Sequence, residues 1–315
     1  MSTVPASSSP APRSRSAGFA FILGAALSWS LAGLGIKSVP LSALGIVSLR
    51  ALFALPVFAF VLWFRVRSDL PAVLRLGLSR WQTWVAALSY AFTMLSFVLA
   101  SKLTTSANAI LLQYTAPIYV ILLSRPLLGE RVGRADVLAV LGCFLGIGWF
   151  FLEQLSTSGL YGNLLALLSG ASLGLLPLLL RRAEQPPPAA SAQTRERLVF
   201  VPTVVLLLGN ILAALVGAPA ALTGPWPEPV SWLWLAVLGV VQIALAYLLY
   251  AAGVRRLRAV ESLMLASLEP ILNPLWVALG TGERPSRAAL CGGLLILLSV
   301  IGHGLHTTLR PKPPR

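Results

Sequence analysis

The chain has 315 residues, of which 57% are hydrophobic and only 11% are charged. Soluble domains carry roughly 25% charged residues, and together with a mean hydropathy of +0.83 this excludes an ordinary soluble domain. The formal net charge of +14 points to a nucleic acid or an anionic membrane surface as a partner, and the positions of the charges decide between the two.

Ten stretches of the chain are long and apolar enough to cross a bilayer, which needs about 20 predominantly apolar residues per helix. Because nine further spans follow the first one, we interpret the first stretch as a retained helix rather than a cleaved signal. A disordered cytoplasmic tail is predicted at 1–16 and a second cytoplasmic tail at 308–315. The predicted spans are 17–36, 41–64, 83–101, 104–124, 136–153, 160–180, 198–219, 231–251, 260–280 and 288–307.

The positive charges follow a one-sided pattern along these spans. If the N-terminus is cytoplasmic, nineteen of the 24 Lys and Arg residues fall in cytoplasmic tails and loops, and Arg50 lies inside a span. The four on the other side are Lys37, Lys102, Arg284 and Arg287. Cytoplasmic loops of membrane proteins carry such an excess of Lys and Arg, so both termini are predicted to be cytoplasmic. The partner of the positive charge is then anionic lipid and not nucleic acid.

A segment of the first half recurs in the second half. Residues 102–131 and 255–284 align without gaps at an offset of 153, with seven identities among thirty positions. In both copies a proline, Pro117 or Pro270, is followed at the same distance by Gly-Glu-Arg. Because each half contains five helices, an odd number, the second half is predicted to be inverted. We place the two repeats at 17–153 and 160–307, around a midplane site typical of alternating access.

The sequence of these repeats resembles the drug/metabolite transporter superfamily, EamA type. The resemblance is carried by APIYVILLSRPLLGER and EPILNPLWVALGTGER near the ends of the two halves, by LSWSLAG around Trp29 and by SLRALFA around Arg50. It implies an all-α transporter of ten membrane-spanning helices, in two inverted five-helix repeats, in the cytoplasmic membrane of a bacterium. The stretch LASLEPILNPLW is most similar to amino-acid exporters such as the threonine/homoserine exporter group. The sixth helix, LLALLSGASLGLLP, departs from the pattern because it lacks the tryptophan.

Two ionisable residues lie deep in predicted spans, where such groups are rare and usually face the bundle interior or a wet cavity. Arg50 lies about nine residues into the second span and Glu269 about nine residues into the ninth. We predict that Arg50 binds a carboxylate of the protein or the substrate, and that Glu269 is a proton acceptor. Two alternatives stay open: an interfacial Arg50, and a Glu269 that pairs with Arg50 or with neighbouring backbone.

Three prolines interrupt the fourth and ninth spans. Pro117, Pro270 and Pro274 each lack an amide hydrogen and free the carbonyl group four residues earlier, which for Pro270 belongs to Ala266. Discontinuous helices at matching positions of two halves are typical of transporter binding sites, although prolines also serve packing alone. We therefore predict kinks at these prolines and a binding site around them.

Polar and aromatic side chains near these prolines complete the predicted substrate and coupling site. Glu269 and Asn273 are four residues apart, so they share one helix face. Each polar residue has an alternative role in joining helices. The other predicted members are Trp29, Asn108, Gln113, Tyr114 and Gln242, with Tyr90, Tyr247, Ser262 and Ser267 as further candidates.

These features predict a secondary transporter that exports a small polar metabolite, foremost an amino acid or a related compound, with protons as a candidate coupling ion. Transport of sugar phosphates, nucleotide sugars or drugs is the alternative within this fold, and a membrane enzyme or a receptor is the alternative class. The sequence contains no metal-ligand cluster, phosphate loop or nucleophile motif. We therefore expect no cofactor, and a homodimer stays open.

Overall fold

The computed structural model describes residues 15–128, 133–152, 159–254, 256–257, 265–266 and 268–309. Within these residues every secondary-structure element is helical, which confirms the predicted all-α fold. Six helical stretches among them are long and apolar enough to cross a membrane. They are Arg15–Ser38, Ala43–Val66, Trp81–Leu103, Leu160–Glu184, Val201–Thr223 and Pro229–Gly253.

The helices follow the order of the predicted spans. The first half contains α1 (Arg15–Ser30), α2 (Ala32–Ser38), α3 (Ala43–Val66), α4 (Leu70–Leu78), α5 (Trp81–Leu103), α6 (Ser106–Gln113), α7 (Ala116–Leu128) and α8 (Arg134–Leu152). The second half contains α9 (Leu160–Glu184), α10 (Ala192–Leu198), α11 (Val201–Thr223), α12 (Pro229–Ala236), α13 (Ala246–Gly253), α14 (Glu269–Thr281) and α15 (Arg287–Leu309). A π-helical segment, Val237–Leu245, joins α12 to α13.

The four other predicted spans coincide with the remaining long or divided helices. The fourth span is divided into α6 and α7, the fifth and tenth correspond to α8 and α15, and the described part of the ninth is mainly α14. Large apolar side chains such as Phe64, Leu145 and Leu215 are exposed. A continuous apolar exterior of this kind marks a surface that contacts a membrane.

The fourth and ninth spans are broken at equivalent positions. Helices α7 and α14 are each 13 residues long, and their first residues, Ala116 and Glu269, are separated by the 153-residue offset of the sequence repeat. Pro117 and Pro270 are the second residues of these helices, where a missing amide hydrogen costs no helical hydrogen bond. The predicted kinks at these two prolines are therefore complete helix breaks, whereas Pro274 lies inside α14.

The backbone hydrogen bonds at the two breaks are also equivalent. The Thr115 amide donates to the Leu112 carbonyl at 3.2 Å, and the Leu268 amide donates to the Leu265 carbonyl at 3.2 Å. Each bond closes a tight turn over three residues, which is how helices commonly end. The sequence repeat therefore corresponds to a repeat of the backbone.

The last helices of the two halves, α8 and α15, pack against each other in opposite directions. A Cβ atom on Gly146 would lie 2.7 Å from the carbonyl oxygen of Gly292, while Asp136 near the start of α8 binds His303 near the end of α15. Contacts therefore move towards the start of one helix as they move towards the end of the other. Equivalent helices that run antiparallel are what an inverted repeat requires.

The second helices of the two halves, α3 and α11, show the same relationship. The Ser48 hydroxyl near the start of α3 donates to the Ala214 carbonyl near the end of α11 at 2.8 Å. At the other end of α3, Leu62 and Val66 share an apolar cluster with Val204 near the start of α11. Two independent helix pairs thus show that the halves are inverted, and Glu269 lies where the broken helices meet the opposite half.

Candidate functional site

The Glu269 carboxylate is held by a residue of the opposite repeat. Glu269 is the first residue of α14, and Tyr114 follows the last residue of α6 at the equivalent break in the first half. The Tyr114 hydroxyl lies 2.9 Å from the Glu269 Oε2 atom and 3.0 Å from the Ala266 carbonyl oxygen. The Ala266 carbonyl is the one that Pro270 leaves without a helical donor, and it competes with Glu269 for the single tyrosine hydrogen.

The same three groups accommodate either protonation state of Glu269. A tyrosine hydroxyl has one hydrogen to donate and lone pairs that accept. When Glu269 is ionised, Tyr114 donates to the carboxylate. When Glu269 is protonated, its hydroxyl donates to the Tyr114 oxygen, and the tyrosine hydrogen turns to the Ala266 carbonyl. Glu269 and Tyr114 stay hydrogen-bonded in both states, and the Ala266 carbonyl receives the tyrosine hydrogen only when Glu269 is protonated, so the site can hold or release a proton with little rearrangement.

A row of aromatic rings from both halves lies between Glu269 and the second deep charge, Arg50. Trp29 of α1 contacts Tyr247 and Tyr250 of α13, with ring centroids 5.5 and 5.2 Å apart. Tyr247 in turn contacts Tyr90 of α5 at 5.7 Å, and Tyr250 lies near Tyr114. We call these four rings the aromatic wall, and Tyr247 within it lies near both Glu269 and Arg50.

The Arg50 guanidinium is buried without a carboxylate partner among the described residues. It is 1% exposed, and its Nη2 atom contacts only the carbonyl oxygen and sulfur of Met94, each at 3.3 Å. Its Nη1 atom is buried and has no hydrogen-bond partner among the described residues. The groups that contact the two charges differ: Tyr114 binds Glu269, whereas Met94 contacts Arg50, and Tyr247 lies near both. Within the described part of the chain, Arg50 and Glu269 therefore do not form an ion pair.

Three further polar side chains accompany Arg50, and we call the four residues the Arg50 cluster. Tyr90 lies near Arg50, and its hydroxyl accepts a hydrogen bond of 3.3 Å from the Asn210 Nδ2 atom of α11. Gln242 lies on the π-helical segment, in which Gly239 packs on the backbone of α3 at Arg50, so that a Cβ atom would collide with the Arg50 carbonyl oxygen. Asn210 Oδ1 and Gln242 Oε1 are buried without hydrogen-bond partners among the described residues.

Asn108 and Gln113 bind neighbouring helices. The Asn108 Nδ2 atom donates to Thr104 at 3.2 Å and to Asn163 at 3.3 Å. The Gln113 Nε2 atom donates to Ser169 of α9 at 2.7 Å. These bonds join the fourth span to the sixth, in keeping with the helix-joining alternative, and neither side chain contacts Glu269.

Asn273 connects the broken ninth span to a polar network at the predicted outer end of the bundle. Its Oδ1 atom accepts from the Ser106 hydroxyl at 2.7 Å, and the Ser106 amide donates to Glu283 Oε1 at 2.6 Å. Glu283 also pairs with Lys37 at 2.8 Å, and Lys37 donates to the Thr104 carbonyl at 2.9 Å. We call the pair formed by Lys37 and Glu283, with the Ser106 amide, the outer latch, because it ties the first, fourth and ninth spans together.

The structure divides the predicted site residues into groups. Glu269 and Tyr114 meet at the break, Trp29 contacts Tyr247 and Tyr250 of the aromatic wall, and Arg50 and Gln242 belong to the Arg50 cluster. Ser262 and Ser267 lie outside the described residues. Sequence reasoning missed Tyr250, Asn210, Met94 and the outer latch. An asparagine within the apolar seventh span was a visible sign of Asn210, whereas nothing in the sequence indicates which residues Lys37 and Glu283 bind.

Comparisons with known proteins agree with this architecture. The model of the EamA-like transporter family matches residues 16–152 and 160–304. An uncharacterized transporter of Archaeoglobus fulgidus is 29% identical over 214 residues, which are 66% of this chain and 71% of that protein. A solved crystal structure of a protein with 22% identity covers 95% of this chain and 100% of its own, with a TM-score of 0.63, which is a likeness of fold.

Proposed function

Since the chain belongs to the EamA-like transporter family, we propose that it exports a small polar metabolite, an amino acid or a related compound, in exchange for protons. The observation that carries the proposal is the Tyr114–Glu269–Ala266 arrangement, in which a carboxylate at the junction of two inverted repeats keeps its hydrogen bonds in both protonation states. Membrane-embedded carboxylates of this kind serve proton relays in transporters.

Alternating access follows from the inverted repeats and the broken helices. The outer latch closes one end of the junction, and the sequence repeat provides a corresponding Gly-Glu-Arg at 129–131 for the opposite end. When one end of the junction opens as the other closes, Glu269 and Arg50 become accessible first from one side of the membrane and then from the other. The positive charges then give the orientation, with both termini in the cytoplasm of a bacterium.

A proton-exchange measurement tests this function. The purified chain is reconstituted into liposomes that contain a pH-indicator dye and an acidic lumen, and amino acids are added outside one at a time. Exchange of substrate for protons makes the lumen alkaline on addition of a transported amino acid. A lumen that stays acidic with every amino acid, in vesicles of proven protein content, contradicts the proposal.

Site-directed labelling tests the orientation separately. The loop at 182–197 is predicted to be cytoplasmic, and the exposed Ser191 provides a position for a Ser191→Cys variant in a chain without Cys143 and Cys291. A membrane-impermeant maleimide should label this cysteine only after the cells are opened. Labelling of intact cells would reverse the orientation.

A further inference from the structure

The Arg50 cluster has unused hydrogen-bonding capacity of two opposite kinds. The donors are Arg50 Nη1, which has no partner among the described residues, and the Tyr90 hydroxyl, which uses an oxygen lone pair to accept from Asn210. The acceptors are Asn210 Oδ1 and, on the π-helical segment, Gln242 Oε1, and neither has a partner in the described part of the chain. All four residues are buried, with exposures of 1% for Arg50, 0% for Tyr90, 0% for Asn210 and 7% for Gln242.

The orientation of the Asn210 amide is fixed by its neighbours. Its Nδ2 atom donates to the Leu206 carbonyl oxygen at 2.8 Å, and a carbonyl oxygen can only accept. A flipped amide would place two acceptors against each other. The oxygen of Asn210 is therefore the atom that lacks a partner, and it requires a donor.

A buried charge or polar atom without a hydrogen-bond partner destabilises the folded state, because it has lost its contacts with water. Such groups are therefore usually hydrogen-bonded in folded proteins. The costs here fall on the Arg50 cation and on the Asn210 amide oxygen, and the two residues are linked through Tyr90, which lies near Arg50 and accepts from Asn210. A bound molecule that brings both an anion and a hydrogen-bond donor would satisfy both of them. An α-amino acid has these two groups on adjacent atoms, a carboxylate and an ammonium.

We propose that the Arg50 cluster is the binding site for the head group of an α-amino acid, with the carboxylate on Arg50 Nη1 and the Tyr90 hydroxyl and the ammonium on Asn210 Oδ1. This inference rests on the proposed function, because it names the cargo of the same transporter. It also separates two roles: the cargo occupies the Arg50 cluster, and Glu269 with Tyr114 carries the proton.

The position of the aromatic wall indicates what lies beyond the head group. Tyr90 and Tyr247 are in ring contact at 5.7 Å, and Trp29 continues the wall from Tyr247. A cargo side chain that leaves the Arg50 cluster on this side meets aromatic faces before it reaches Glu269. An apolar or aromatic side chain fits this path better than an acidic one, which would face Glu269.

Counterflow in proteoliposomes without a pH gradient tests the head-group site. The full chain is loaded with unlabelled alanine, threonine, leucine or phenylalanine, and entry of the same labelled amino acid is followed. Two analogues of the best substrate compete from outside: the primary amine that lacks the carboxylate and the N-acetyl derivative that lacks the ammonium. In the wild-type protein each analogue should compete about tenfold or more weakly than the amino acid, because each leaves buried partners unsatisfied.

Substitutions then show which residue distinguishes the amino acid from each analogue. Arg50→Gln should weaken competition by the amino acid until it equals that of the amine. Arg50→Lys should restore part of the preference for the amino acid over the amine. Asn210→Leu should remove the preference over the N-acetyl derivative. Arg287→Gln, at an exposed arginine, is the matched control and should behave as wild type.

The outcomes separate this inference from the proposed function. If the wild-type protein shows counterflow but the amine competes as well as the amino acid, the head-group site is wrong and transport stands. If Arg50→Gln keeps the wild-type preference, the assignment to Arg50 is likewise wrong. If no amino acid shows counterflow, the proposed cargo itself fails. The competition experiment with the wild-type protein decides the question even if an Arg50 variant does not fold.

Discussion

Tyr114 and Glu269 are joined across the two inverted repeats by a hydrogen bond of 2.9 Å between the phenol oxygen and Oε2. The tyrosine lies at the break in the fourth span, and the carboxylate begins the second part of the ninth span. A movement of one half relative to the other would stretch or remake this bond, so the surroundings of Glu269 depend on the geometry of the junction.

Removal of the Tyr114 hydroxyl should weaken proton-driven transport. Tyr114→Phe removes the one hydroxyl hydrogen, which ionised Glu269 accepts and which the Ala266 carbonyl accepts when Glu269 is protonated. Hydrogen bonds to charged groups contribute about 1.5–3 kcal/mol, so the rate of amino-acid uptake driven by a pH gradient should fall about tenfold or more. Tyr161→Phe, at an exposed tyrosine, is the matched control. Equal rates for the two variants would show that the bond is not used.

Neutralisation of Glu283 should open the predicted outer end of the bundle. Glu283→Gln removes the ion pair with Lys37 and weakens the bond to the Ser106 amide. A cysteine at the buried Ala107, in a chain without native cysteines, should then react several-fold faster with a water-soluble maleimide. The same cysteine with Glu228→Gln, at an exposed carboxylate of the same end, should keep the slow rate. An unchanged rate in Glu283→Gln would mean that the latch does not close this end.

The packing of the last two helices gives a prediction about stability. Gly146→Ala places a methyl group 2.7 Å from both the Gly292 carbonyl oxygen and Ile296. Overpacking of this kind costs about 1–3 kcal/mol, so the detergent-solubilised protein should unfold at lower temperature. Gly148→Ala on the same helix meets nothing within 4 Å and should leave the unfolding temperature unchanged or raise it. A loss of stability in Gly148→Ala alone would contradict the antiparallel packing.

A loop contact outside the membrane gives a prediction about pH. Asp69 accepts hydrogen bonds of 2.6 and 2.7 Å from Arg197, and these bonds hold the pKa of the Asp69 carboxyl below its ordinary value. A carboxyl group with a lowered pKa stabilises the folded state above its unfolded pKa of about 3.9, and this stabilisation is lost as the pH falls through the lower, folded value.

Thermal unfolding of Asp69→Asn and wild type should therefore differ at pH 7 and converge in acid. Because the carboxylate is exposed to solvent, the difference should be small. Glu196→Gln, at an exposed carboxylate one residue before Arg197, controls for the loss of a negative charge. A difference between Asp69→Asn and wild type that grows in acid would contradict the assigned pairing.

Much of this architecture could be predicted from the sequence because it depends on local properties. Apolar length, one-sided positive charge and the Gly-Glu-Arg repeat indicate a helical membrane protein with two halves. The freed Ala266 carbonyl could also be predicted, since it follows from the chemistry of Pro270. The sequence predicted kinks at Pro117 and Pro270, whereas the structure shows breaks with matching turns.

The partners of the polar residues could not be predicted in the same way. A span shows that Arg50 and Glu269 are deep, but whether they pair depends on how helices rotate and pack. The answer rests on Tyr114, which binds Glu269, and on Met94, which contacts Arg50. Spacing alone grouped Asn108 and Gln113 with the site. Their bonds to Asn163 and Ser169 depend on how α9 packs against the fourth span, which local sequence properties do not determine.

The most direct test of the central claim, that Glu269 couples transport to protons, is accumulation of a labelled amino acid by acid-loaded proteoliposomes. The wild-type protein should concentrate the amino acid inside until the pH gradient is dissipated. Glu269→Gln keeps the size of the side chain but cannot exchange a proton, so it should show no accumulation above the external concentration. Accumulation by Glu269→Gln at the wild-type level would contradict the claim.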